Sequence, residues 1–131
     1  MSGDGPDARI RALFERFNAG DVEGVAALCH PDIEVIDAPE LPGGLTYRGR
    51  GELARELQSL SDMFQGPKVT VDELRVGEDR AVALYRVHGH GQAGGVPIEA
   101  EIAYVFALDE GEIRQIRIFL DHAAGLAASG L

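Results

Sequence analysis

The stretch Cys29 to Gly44, CHPDIEVIDAPELPGG, decides how the chain is read. Pro31 stops any helix arriving from the N-terminal side, Ile33, Val35 and Ile36 make an apolar strand, and Asp37 stands at its end, just before Ala38-Pro39. An acid in that position is a candidate carboxylate at a pocket mouth. Apolar surroundings push a carboxyl group toward the range in which it can shuttle protons. The same acid can instead hydrogen-bond the turn that follows it, and spacing alone leaves both roles open.

Working back from this stretch, residues 1 to 6 are polar and rich in Gly and Pro, and they are expected to be a frayed start. From Asp7 to Phe17, the residues Ile10, Leu13, Phe14 and Phe17 recur at i, i+3, i+4 and i+7, which draws one apolar stripe along a helix. Asn18-Ala19-Gly20 ends that helix, with Gly20 as a left-handed stop. Asp21 then caps a second helix, whose Val22, Val25, Ala26 and Cys29 face one way.

Working forward, Ala38 to Gly44 holds too much Pro and Gly for regular structure, and such a loop could border a cavity. A short Leu45-Thr46-Tyr47 segment follows. Leu53, Leu57, Leu60 and Phe64 then mark a third amphipathic helix from Glu52 to Phe64, stopped by Gly66-Pro67. The second half reads as strands. Val69 and Val71 alternate, but Leu74 and Val76 resume on the opposite phase, which predicts a bulge near Asp72-Glu73. Arg80 to His90 alternates, Gly91 to Gly95 makes a loose hairpin, Val96 to Leu108 returns, and Asp109-Glu110-Gly111-Glu112 turns the chain into Ile113 to Leu120. Asp121 caps a last short helix through Ala128 or serves as an acid; spacing does not choose.

This order of elements predicts an α+β domain: three helices from the N-terminal half packed on a strongly curved, mostly antiparallel sheet, a cone whose open end is a pocket. With 131 residues, 45% of them hydrophobic, a single domain spanning 1–131 can bury a full core. The formal charge of −10 argues against nucleic acid and anionic membrane surfaces, which select basic faces. No apolar run approaches membrane-span length, the opening MSGDGPDAR lacks the order of a signal peptide, and one cysteine excludes a disulfide within the chain, so a cytoplasmic protein is expected.

Three quoted segments carry a family likeness: FNAGDVEGVAALCHPDIEVIDAP, TYRGRGELARE and GEIRQIRIFLDH. Together they resemble the NTF2-like superfamily, in particular its ketosteroid-isomerase and SnoaL-like polyketide-cyclase branches, from about Arg9 to Leu126. The resemblance implies the cone fold, a hydrophobic steroid- or polyketide-like substrate, no cofactor and no bound metal. It places Asp37 where ketosteroid isomerases hold their catalytic base. The handling of an enolate there uses a Tyr and a protonated Asp, and the matching positions hold Leu13 and Ala103. Asp121 matches an aspartate that SnoaL-like cyclases and epoxide hydrolases use as acid or base. The resemblance also makes the face of Val82, Leu84, Arg86, His88 and His90 the concave one, so that Arg86, His88 and His90 point inward. The expected set is therefore Asp37, His88, His90 and Asp121 for catalysis, with Tyr47, Leu13, Phe17, Phe64, Leu84, Arg86 and Ala103 around the substrate.

Other constellations compete. His88 and His90, roughly 7 Å apart along a strand, could bind a metal if Asp37, Glu99 or Glu101 closed the site, but two histidines at i, i+2 are a weak signal. Cys29 continues an apolar stripe and reads as a buried core thiol. Tyr47 and Tyr104 can each donate a phenol, and Tyr104, on the opposite phase from Ala103, is assigned outward, which favours Tyr47 as the pocket tyrosine. The apolar phase Tyr85, Val87, Ile102, Tyr104 and Phe106 is then an outer face, on which a homodimer is expected to form. The alternative to an enzyme is a non-catalytic ligand-binding or dimerisation module. Convergence of Asp37, His88 and His90 in one cavity would favour the enzyme, and their scatter to the surface would count against it.

Overall fold

The computed structural model describes residues 5–38, 46–63, 67–90 and 97–131, with the side chains of 60, 63, 90, 97 and 98 outside that description. The expected loop at 39–44, the hairpin at 91–95 and Phe64 also lie outside the described residues.

Helix α1 spans Pro6–Asn18 and buries Ile10, Leu13 and Phe14. It starts within the segment expected to fray, because Pro6 takes a first-turn position that has no partner for an N–H in any case. Gly20 follows at φ 79°, the left-handed stop that the sequence predicts. Asp21 caps α2 (Val22–Ala27), its carboxylate accepting from the Gly24 amide at 2.9 Å. Strand β1 (Cys29–Ile36) already includes Cys29, so the cysteine leaves the helix stripe for the sheet, where it is 1% exposed. Strand β2 (Thr46–Arg48) and helix α3 (Gly49–Met63) follow, then β3 (Lys68–Val76), β4 (Arg80–His90), β5 (Pro97–Asp109), β6 (Glu112–Phe119) and α4 (His122–Ser129).

The strands form one six-stranded sheet in the order β2-β1-β6-β5-β4-β3. Only the β1–β6 pair is parallel, and the remaining pairs are antiparallel. The predicted bulge is present: Val71 pairs with Tyr85 and Glu73 with Leu84, leaving Asp72 as the extra residue that bends β3. Glu110 and Gly111, at φ 52° and 81°, make the two-residue turn from β5 to β6, in which both central residues must adopt positive φ. The sheet is curled and unclosed, and with its helices it has the NTF2-like architecture. None of the described helices is long and apolar enough to cross a membrane.

The two faces of the sheet are the reverse of the expected assignment. Ala81, Ala83, Tyr85 and Phe106 pack with Ile10, Leu13 and Phe14 in the main core beneath the helices. Val82, Leu84, Ala103 and Val105 form a second cluster on the other face, covered by Leu126 and Ala128 of α4 with Phe119. Gly125 makes that cover possible, since a Cβ on it would lie 2.3 Å from the Ala103 Cβ. The reason is energetic: the phase that ends in Arg86 and His88 carries charge, which water and facing acids accommodate outside and an apolar interior does not. Tyr85, Val87, Ile102, Tyr104 and Phe106 are thus inside, so these residues do not form the outer face on which a homodimer was expected. Among the described residues, the large apolar side chains that count as exposed are Val76 and Leu131, at the sheet edge and the chain end.

Candidate active site

The curl of the sheet against α1 and α3 encloses an almost wholly apolar cavity of about 460 Å³. Leu13, Phe14 and Phe17 come from α1, Leu53, Glu56 and Leu57 from α3, and Tyr85, Ile102, Tyr104, Ile116 and Ile118 from the sheet.

Asp37 reaches this cavity by simple alternation. It stands one residue beyond β1, two past the buried Val35, and so shares the concave face. Tyr47 pairs with Val35 across the β1–β2 ladder and points the same way. Its hydroxyl donates to Asp37 Oδ2 at 3.0 Å. Burial is the main force holding the Tyr47 phenol above its ordinary range, aided by the hydrogen bond to Asp37 and the charges of Asp37 and Glu56. The phenol therefore keeps its proton throughout the neutral range and serves as a donor. Glu56 faces the same hydroxyl from α3.

A second polar pair lies deeper. The rings of Tyr85 and Tyr104 meet edge to face at 5.0 Å, with Phe14 5.0 Å from Tyr85 and 6.0 Å from Tyr104. Burial first of all holds both phenols above their ordinary value, and each feels the other's hydroxyl. Asp37 and Glu56 are the charged residues on the described cavity wall, and Lys, Arg and His are not among its described lining.

Of the expected site residues, Asp37, Tyr47, Leu13 and Phe17 lie on this wall. Leu84 and Ala103 do not: they are buried beneath α4. Arg86 is outside too, its Nε and Nη2 each 3.0 Å from a carboxylate oxygen of the bulged Asp72. His88 is half-exposed, with Nδ1 2.8 Å from Glu99 Oε2. It does not converge with Asp37, and the side chain of His90 lies outside the description. Asp121 is exposed and acts as the N-cap of α4, accepting from the Ala124 amide at 2.7 Å. Its neighbour Leu120 lines the cavity, and Asp121 does not. Cys29 donates weakly to the Val25 carbonyl at 3.7 Å, and burial pushes its thiol up to about 11 against the opposing charges of Arg50 and Arg9, which leaves it unreactive.

The sequence reading missed Phe14, Glu56, Tyr85 and Tyr104 as lining residues. Glu56 had a readable signal, an acid set between Leu53, Leu57 and Leu60 on an otherwise apolar stripe. Among the described residues, no three His, Cys, Asp or Glu side chains gather as a metal site requires.

Comparison with known proteins agrees with this architecture. An NTF2-like protein of unknown function from Burkholderia pseudomallei K96243 superposes with TM-score 0.80 at 19% identity, covering 97% of each chain. A protein described as a SnoaL-like polyketide cyclase from Jannaschia sp. CCS1 gives TM-score 0.77 at 19% identity over 100% of this chain and 97% of that one. TerC, co-crystallised with polyporic acid, gives TM-score 0.77 at 18% identity over 96% and 98%. No curated protein matches by sequence. The family profile of the SnoaL-like domain matches residues 10–116, most of the chain. The chain belongs to the SnoaL-like domain family.

Proposed function

We propose that this protein binds a neutral, hydrophobic small molecule of steroid- or polyketide-like size in its cone and moves a proton on it with Asp37. The observation that carries this reading is the Tyr47–Asp37 hydrogen bond on the wall of an apolar cavity. Tyr47 fixes one carboxylate oxygen and leaves the second for a proton from the ligand. Orientation by a neighbouring donor is what a general base needs to act at one defined carbon. The co-crystallisation of TerC with polyporic acid and the cyclase description of the Jannaschia protein support an aromatic or polycyclic ligand class. The two acids without a facing cation on the described wall favour uncharged ligands over carboxylates.

The test is Asp37→Asn assayed on polycyclic and phenolic polyketide-like ketones and on a Δ5-3-ketosteroid. The amide keeps the size of the acid but cannot take a proton, so turnover is expected to fall on the order of 10²- to 10⁴-fold while ligand affinity and fold persist. Unchanged turnover in the variant removes Asp37 as the base. Ligand binding without turnover by the wild type identifies a binding module instead.

A further inference from the structure

We infer that Glu56 selects the ligand: its carboxylate accepts a hydrogen bond from a hydroxyl group, so the molecule bound in the cone is an apolar ring system that carries a phenol or an alcohol. This rests on the proposed function and deepens it, since Asp37 defines the reacting carbon and Glu56 the polar group that fixes the molecule in place.

Glu56 interrupts an apolar helix face. Leu53, Glu56 and Leu57 fall at i, i+3 and i+4, so they share one side of α3, and all three line the cavity. The two leucines are 6% and 7% exposed, and Glu56 is half-buried beside them. Helix α3 packs on β1 and β2, and Asp37, just beyond β1, and Tyr47 of β2 line the same cavity. A charged side chain in such surroundings needs a partner, because desolvation without one is costly.

The protein does not supply a cation for it. The helix neighbours at i−4, i−3, i+3 and i+4 are Glu52, Leu53, Ser59 and Leu60, and the adjacent Arg55 is exposed. Among the described residues, Glu56 forms no ion pair. None of the 12 Lys and Arg residues is on the described cavity wall, and the segments 39–45, 64–66 and 91–96 contain neither type. Tyr47 is not a free donor either, because its hydroxyl proton goes to Asp37 at 3.0 Å. An ionised carboxylate only accepts, and an O–H donor gives it a short charge-assisted bond about twice as strong as a neutral one. A ligand hydroxyl meets that need, whereas a carbonyl or ether oxygen at the same place is repelled. The free oxygen of Asp37 is kept for the C–H that reacts, which leaves Glu56 to take the hydroxyl.

The experiment compares 2-naphthol with 2-methoxynaphthalene, which has the same ring and oxygen but no donor, by calorimetric titration at neutral pH of wild type, Glu56→Leu, Glu56→Gln and Asp37→Asn. The wild type is expected to prefer the naphthol roughly tenfold or more, the effect of one hydrogen bond to a charged group. Glu56→Leu, which continues the leucine stripe, should bring the two probes to parity without weakening the ether. Glu56→Gln keeps a neutral acceptor and should retain a preference of roughly threefold. Asp37→Asn should leave the preference intact, and the titrations need no turnover, so this assignment and the assignment of the base fail separately. A third probe, the ammonium of 2-naphthylmethylamine, distinguishes a hydroxyl site from a cation site and should bind no more tightly than the naphthol, because an ammonium is costlier to desolvate. Full preference in Glu56→Leu, its loss in Asp37→Asn, equal weakening of both probes in Glu56→Leu, tighter binding of the ammonium, or no binding of 2-naphthol by the wild type overturns the inference.

Discussion

Strand β4 presents two surfaces from one run of eleven residues, and they handle polarity in opposite ways. On the outside, Arg86 and His88 pair with Asp72 and Glu99 in reach of water. On the inside, Tyr85 follows Ala81 and Ala83 into an apolar wall where the described charges are carboxylates and the donors are phenols. Exposed ion pairs lose most of their strength to solvent screening, whereas a hydrogen bond on an apolar cavity wall keeps more of its strength. The denser collection of charges is therefore the less chemical one.

The largest expected effect comes from breaking the inner face. Phe106 is 0% exposed and packs in the main core, so Phe106→Ala should cost about 3–5 kcal/mol, read as a lower urea midpoint with an unchanged slope. A smaller effect comes from pH. The folded state holds the Cys29 proton more tightly than the ordinary value of 9.0, up to about 11, so its contribution is complete below pH 9 and is lost as pH rises to 11. That loss is of order 2–3 kcal/mol between unfolding curves at pH 8 and pH 11, and Cys29→Ala should remove it. A residual slope from the raised phenols of Tyr47, Tyr85 and Tyr104 remains in that variant. The smallest effect belongs to the outer face: Arg86→Ala should leave the midpoint unchanged within scatter, because its bidentate partner Asp72 is solvated.

The inner and outer faces also mark where the sequence was legible. Local signals read well: the stripe of Ile10, Leu13 and Phe14, the left-handed Gly20, the phase change that produces the bulge at Asp72, and the Glu110-Gly111 turn each depend on a few neighbouring residues. The direction of β4 did not, because period-two alternation defines two faces without saying which is covered, and both begin apolar, with Val82 and Leu84 against Ala81 and Ala83. The choice is tertiary, made by α4 seating Gly125 on Ala103. One cross-strand signal was available: Arg86 stands opposite Glu101 and His88 opposite Glu99, the opposite-charge pairs of a solvated face. Asp37 was readable from the end of its strand, but its bond to Tyr47 depends on the pairing of Tyr47 with Val35, a register that no local pattern sets.

The chemistry proposed for the inner face is tested most directly by the turnover of Asp37→Asn and His88→Gln, measured side by side on the same substrate. The predicted result is a loss on the order of 10²- to 10⁴-fold for Asp37→Asn and wild-type turnover for His88→Gln. A comparable loss in both, or a loss in His88→Gln alone, would contradict it.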